Sequence, residues 1–291
     1  MAAEPLTDLS RCAVHTMTTK PWSLEQALAG YAKAGIPAIT VWRQHLPAAG
    51  AEAAGRLIRA SGLKVSALAR GGFFPALDAG KRQAAIDDNR KALDEAAAIG
   101  APMVILVCGA VPGLPLAEAR KQIADGIAAV VPHAQALGVR LSIEPLHPIY
   151  AGDRSAVNTM AQARAICRQF DQVIPGAIPG EKSSDRKLVG IAADVYHIWW
   201  DEALEDELAL AGHHGWLHGF HVCDWKTTQS DMLNDRGLMG EGCIPIRTIR
   251  GWAESAGFNG FNEIEIFSTT RWTGDQDAWL KTCLDAYRAH V

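Results

Sequence analysis

Short, almost uniformly apolar runs alternate along the chain with longer stretches whose apolar residues recur every three or four positions. The first kind reads as strands buried on both faces, the second as amphipathic helices laid over them. Strands are expected at Cys12–Met17, Ala38–Trp42, Val65–Ala69, Met103–Val107, Arg140–Glu144, Val189–Asp194, Gly219–Cys223 and Asn262–Phe267. Helices are expected at Ser23–Ala34, Ala51–Ala60, Lys81–Ile99, Leu116–Leu137, Ser155–Phe170, Glu202–Ala211, Ile246–Ala256 and Asp275–Ala289. Ser23 with Gln26 three residues on predicts a capped helix start, and Gly35, Gly62, Gly100, Gly138 and Gly257 supply left-handed closing residues. Eight strand–helix units in series predict an α/β fold of the (β/α)8 TIM-barrel type, one domain over residues 1–291. The rival doubly wound sheet lacks its G-x-G-x-x-G after the first strand. One stretch, Asp171–Lys187, mixes proline, glycine and charge with no apolar period and is expected as an inserted loop ahead of the sixth strand.

Composition narrows the function. With 48% hydrophobic and 21% charged residues the chain can bury a large core, which excludes disorder for the bulk. Lys and Arg number 28 against 32 Asp and Glu, a net charge of −4 with no basic run, which argues against a grip on nucleic acid. The longest apolar stretches fall short of the roughly 20 residues a membrane span needs. No basic segment followed by an apolar one opens the chain, so a cytoplasmic location is expected. Six cysteines without regular spacing are expected to be reduced, and Cys223 reads as a buried small hydrophobe.

Side chains at the carboxyl ends of barrel strands converge on one mouth. Strand five ends at Glu144 before Pro145-Leu146-His147, strand six at Asp194 before Val195-Tyr196-His197, strand seven in Phe220-His221-Val222-Cys223-Asp224, and strand eight in Glu263-Ile264-Glu265. Glu144, Asp194, His221 and an acid of strand eight, side by side, would place three negative charges within a few ångströms, which a divalent cation resolves. Three carboxylates and an imidazole suit Mn²⁺ or Mg²⁺, with Co²⁺ or Zn²⁺ as further options. A period of two puts Glu263 and Glu265 on one face, so this pattern leaves the choice between them open.

Taken together, Ile143-Glu144-Pro145-Leu146-His147-Pro148, Asp194 with His197, the Phe220–Asp224 strand, the Gly240-Glu241-Gly242 turn and the closing Gly260–Phe267 strand resemble the xylose isomerase-like barrels over nearly the whole chain. That group includes sugar and sugar-phosphate isomerases and epimerases, myo-inosose dehydratase and abasic-site endonucleases. Resemblance to its ketose 3-epimerases implies metal ligands Glu144, Asp194, His221 and Glu265, with Glu265 chosen because it precedes an apolar residue and Phe267. It further implies substrate contacts from His197 and from Arg236 in an Asn-x-Arg-Gly turn. The stretch from His221 to Arg236 is longer than the epimerase pattern by Thr227–Leu233. His221-x-x-Asp224 resembles the endonucleases, whose other ligands cannot be assembled here.

The chemistry implied is proton transfer beside a keto-sugar carbonyl through an enediolate, with Glu144 and Glu265 as the acid–base pair. The same site permits isomerisation, epimerisation, or elimination by a lyase or dehydratase acting on a keto sugar or 3-keto-glycoside. A DNA-repair nuclease and a catalytically silent sugar-binding protein are the other classes. Trp42-Arg43, Arg70 with Phe73 and Phe74, Trp225, His15 and His147 are candidates for a substrate wall, with Trp199 and Trp200 as packing or subunit-contact residues. The want of a glycine-rich turn opening a helix after strands seven or eight favours a non-phosphorylated sugar. The resemblance also implies a homo-oligomer, a dimer or tetramer.

Overall fold

In the computed structural model, which describes residues 2–171 and 187–291, eight parallel strands close into a barrel in sequence order, the first pairing with the last. They are β1 (Cys12–His15), β2 (Ala38–Trp42), β3 (Lys64–Gly72), β4 (Met103–Val107), β5 (Arg140–Glu144), β6 (Val189–Asp194), β7 (Leu217–Val222) and β8 (Asn262–Ile264). Nearly every strand residue is buried, as parallel strands covered on both faces require. The helices are α1 (Leu24–Lys33), α2 (Ala51–Ser61), α3 (Ala79–Ile99), α4 (Leu116–Leu137), α5 (Met160–Cys167), α6 (Val195–Ile198), α7 (Leu204–His213), α8 (Ile246–Ser255) and α9 (Gln276–His290). The main core lies between strands and helices, with Tyr31, Ile39, Leu93, Ile127, Tyr196 and Tyr287 among its members. A smaller one, including Trp42, Ala69, Met103, Ile105 and Phe267, fills the barrel interior.

Local chemistry accounts for the element ends. Ser23 caps α1, and Gln26 returns the bond to the Ser23 amide, the expected capping box. Helix α5 begins at Met160 rather than Ser155, because Ser155 and Asn158 spend their side chains on nearby backbone. The Asn158 amide donates to the Leu146 and Ser155 carbonyls, and Thr159 then supplies the cap. Strand β3 runs on past Ala69 to Gly72, with a break in register between Ala69 and Gly71 that leaves Arg70 as an extra residue. Gly72 has φ +103°, and a Cβ there would meet the Val107 carbonyl at 2.0 Å. Strand β8 stops at Ile264, three residues short of expectation. Beyond it Ile266 donates to the Thr18 hydroxyl, and the Phe267 carbonyl accepts from Arg236. The expected inserted loop, 171–187, lies outside the described residues apart from its two ends.

Candidate active site

Glu144 and Asp194 are the last residues of β5 and β6, His221 is the penultimate residue of β7, and Glu265 follows β8 by one. Consecutive strands therefore deliver the four side chains to one rim. One ligand-type atom from each lies within 4.8 Å of the others, and all four residues are buried. His221 Nδ1 is 3.0 Å from Glu144 Oε1 and 3.7 Å from Glu265 Oε2. Yet Glu144 Oε1 and both His221 nitrogens are buried without a well-directed hydrogen bond. Electron-pair donors that converge without bonding to one another fit a shared cation, and three carboxylates with one imidazole form a mainly hard donor set. The residues present thus fit a single divalent ion.

The charge balance points the same way. The Arg236 guanidinium donates to Asp194 Oδ2 at 2.9 Å and to Glu265 Oε2 at 3.1 Å, bridging two of the carboxylates. Burial pushes the Asp194 carboxyl up to about 7, with Glu265 and Glu144 adding to the rise and Arg236 opposing it. Glu265 is held well below the usual carboxylate range, because His15 and Arg236 outweigh its burial. Burial works against a charged His221, but Glu144, Glu263 and Glu265 push its imidazole up to about 10. One guanidinium does not satisfy three acids, so protons are held where a cation would remove them.

The model of the xylose isomerase-like TIM barrel family matches residues 28–283. The chain belongs to that family. Among solved structures, protein SMc04130 from Sinorhizobium meliloti 1021 is similar to it, with 44% sequence identity and a TM-score of 0.88 over 97% of this chain and 98% of that one. The IolI protein, solved with a bound zinc atom, has 18% identity and a TM-score of 0.79 over 95% and 96% of the two chains. The 3-keto-D-glucoside 4-epimerase YcjR of E. coli has 16% identity and a TM-score of 0.73 over 96% and 99%. At the two lower identities the likeness is one of fold. No curated protein matches the chain in sequence.

In this xylose isomerase-like barrel a cavity opens beside the four residues, lined in part by Trp42, Glu144, Arg154, His197, Arg236 and Phe267. His197 Nε2 lies 3.3 Å from an Arg236 nitrogen, and since arginine only donates, Nε2 is the acceptor and Nδ1 carries the hydrogen. Burial and Arg236 both lower the His197 proton affinity, so the ring is neutral. His197 Nδ1 and Arg236 Nε are buried without partners. Arg236 reaches the site despite the long connection before it. Tyr150 and Tyr196 both donate to the Met232 carbonyl, at 2.5 and 2.6 Å, and pin that connection over the mouth, while the Arg236 amide bonds to Phe267.

Other anticipated residues lie elsewhere. His15 is fully buried beneath the rim, its ring 4.7 Å from that of His221 and its Nδ1 3.0 Å from Glu265 Oε1 and 3.1 Å from the Trp42 indole nitrogen. His147 accepts from the Ile149 amide and stacks 4.6 Å from Trp225, away from the cavity lining. Arg43 points outward to Asp88 and Glu95. Arg70 lies over Phe73.

Asp224 corrects the endonuclease-like reading. Its Oδ1 accepts from the Trp225 and Ile244 amides and its Oδ2 from those of Gly240 and Gly242, so it organises a loop and is not directed at the ligand cluster. Gly240 has φ +92°, and a Cβ at Gly242 would meet the Trp225 carbonyl at 2.2 Å, so this turn needs its glycines.

Three polar residues escaped the sequence reading as a unit. One layer below Glu265, Glu263 Oε2 accepts from Thr40 at 2.6 Å and Ser66 at 2.9 Å and lies 3.6 Å from His15 Nε2. His15, His221 and Glu263 bring ligand-type atoms within 4.8 Å of one another as well. The signal for Thr40 and Ser66 was a lone hydroxyl inside an otherwise apolar strand.

Proposed function

We propose that the chain is a divalent-metal-dependent isomerase or epimerase acting on a small keto sugar through an enediolate. The observation that carries this reading is the convergence of Glu144, Asp194, His221 and Glu265 at one rim of the barrel. Family membership supports it, and so do two neighbours of the same fold, one described with bound zinc and one as an epimerase of a keto-glucoside.

The four residues would hold the ion. When bound, it would supply positive charge to oxygens on which negative charge develops as a carbon acid loses its proton. The chain's own groups do the rest. Glu144 and Glu265 rise from β5 and from just beyond β8, three strands apart in the ring, and so approach a substrate from different sides. Glu265 is ionised, the state in which a carboxylate takes a proton from carbon; Glu144 gives or takes it on the other face. Two carboxylates on two faces invert a centre, whereas one carboxylate returning the proton to the neighbouring carbon gives the aldose–ketose isomer. The unpartnered Arg236 Nε and His197 Nδ1 offer hydrogen bonds to substrate oxygens, and Trp42 and Phe267, edge to face at 5.3 Å, close the wall with apolar surface. The hard oxygen-rich donor set favours Mn²⁺ or Mg²⁺ over softer ions.

The test is exchange chemistry. Purified protein in heavy water is expected to incorporate deuterium into a ketose beside the carbonyl, to lose that activity on chelation and to regain it with Mn²⁺. Glu144→Gln and Glu265→Gln are each expected to lower turnover by about 100-fold or more with the fold intact. Exchange undiminished after complete metal removal, or in Glu265→Gln, would overturn the mechanism. Elimination products in place of exchange would make the enzyme a lyase.

A further inference from the structure

Two arginines, Arg154 in the cavity lining and Arg70 on the strand end beside it, form no salt bridge among the described residues. Arg154 lines the same cavity as Glu144, His197 and Arg236, and its Nε is buried without a hydrogen-bond partner. The Tyr150 ring, 5.7 Å away, is its aromatic neighbour. Arg70 is the extra residue at the break in β3–β4 register, a place where strands re-aim a side chain, and its guanidinium rests 4.3 Å from the centre of the Phe73 ring. Neither forms a salt bridge with another described residue. The rim does not lack acids, for Arg43 is paired with Asp88 and Glu95 and Arg236 with Asp194 and Glu265. The two segments meet at Gly109, whose amide donates to the Arg154 carbonyl at 3.0 Å and whose Cβ, were there one, would meet Phe73 Cα at 2.8 Å, while Gly72, two residues after Arg70, pairs with the cavity-lining Val107. Burial, Arg154 and Arg43 disfavour the charged form of Arg70, and Glu144 and Asp88 oppose them.

Half-buried guanidinium groups set near one another are costly until an anion joins them, and their planar forks match carboxylate and phosphate oxygens. We infer that Arg70 and Arg154 form an oxyanion-binding subsite beside the ligand cluster, so that the natural substrate is a keto sugar bearing a carboxylate or phosphate group. The word substrate rests on the proposed reaction; the anion site itself does not. A glycine-rich turn is one way to hold such a group, and a pair of arginines is another.

The test uses calorimetry on the full-length, metal-free protein, with inorganic phosphate, D-glycerate and uncharged glycerol as probes. Wild type is compared with Arg154→Gln, Arg70→Gln and the double variant, each checked for native far-UV circular dichroism. Saturable binding of phosphate or D-glycerate to wild type is expected, at least tenfold weaker in the double variant, with no binding of glycerol. If the double variant does not fold, the two single variants carry the comparison, each with a several-fold loss. Phosphate alone binding points to a phosphorylated sugar, and D-glycerate alone to a sugar acid. Failure of both anions to bind wild type, or equal binding to every folded variant, overturns the subsite. Mn²⁺ titration of the same preparations separates the two ideas: cation uptake without anion binding sinks the subsite alone, and the reverse outcome sinks the metal reading alone.

Discussion

Glu263 shows how a residue without access to the cavity can govern one that has it. Held by the Thr40 and Ser66 hydroxyls, its carboxylate fixes a negative charge beside His15 and His221. Groups of this kind orient a coordinating imidazole and raise its basicity. Glu263→Gln keeps the size and removes the charge, so Mn²⁺ affinity is expected to fall by about 10- to 100-fold while the fold persists. Calorimetric titration checks this, and an unchanged Kd would show that the inner acid does not act on His221. At this scale Glu144, Asp194 and His221 were legible in the sequence because each stands near the end of an apolar run, whereas the choice of Glu265 over Glu263 came only from the family resemblance. Asp224 sends the same local signal, but three of its four partners lie 16 to 20 residues downstream, and only the folded turn reveals that its oxygens are occupied. Arg154 sends no signal at all. It stands in a loop with no period, and its importance arises from what its neighbours lack.

Among elements, the loop from residue 237 to residue 244 is organised by Asp224, which gathers four backbone amides on one carboxylate. Replacement by Ala leaves buried donors unmet, and Asp224→Ala is expected to cost on the order of 3 kcal/mol. Urea denaturation measures this, with a lower midpoint and an unchanged slope as the expected result. Strand and helix identities followed from period alone, since continuous apolar runs and amphipathic stretches differ so plainly here. Their ends followed less well. Hydrogen bonds from Ser155 and Asn158 start α5 late, and side-chain and cross-loop bonds take over where β8 would continue. Neither effect has a period to read.

For the molecule as a whole, the proposed cation binding is expected to be coupled to proton release. Asp194, raised to about 7, and His221, raised to about 10, hold protons in the metal-free protein that must leave before their ligand atoms can donate. The sign is therefore fixed: apparent Mn²⁺ affinity is expected to rise between pH 6 and pH 8 as Asp194 loses its proton. Binding enthalpies in buffers of different ionisation heat are expected to reveal released protons. On the proposed reading, Mn²⁺ at about 100 times its Kd at neutral pH is expected to add roughly 2.7 kcal/mol of stability, and at that fixed concentration the rise in Tm is expected to grow with pH. A Tm indifferent to Mn²⁺ would contradict this.

Three of the four rim residues come from the second half of the chain and Glu144 stands just ahead of its midpoint, whereas the groups that brace strand eight's acids, His15, Thr40 and Ser66, come from its first quarter. During synthesis the proposed ion-binding centre can therefore be completed only when the last strand docks against the first. On that reading, metal uptake would be a natural reporter of ring closure, silent for any nascent or truncated chain that has yet to meet its own beginning.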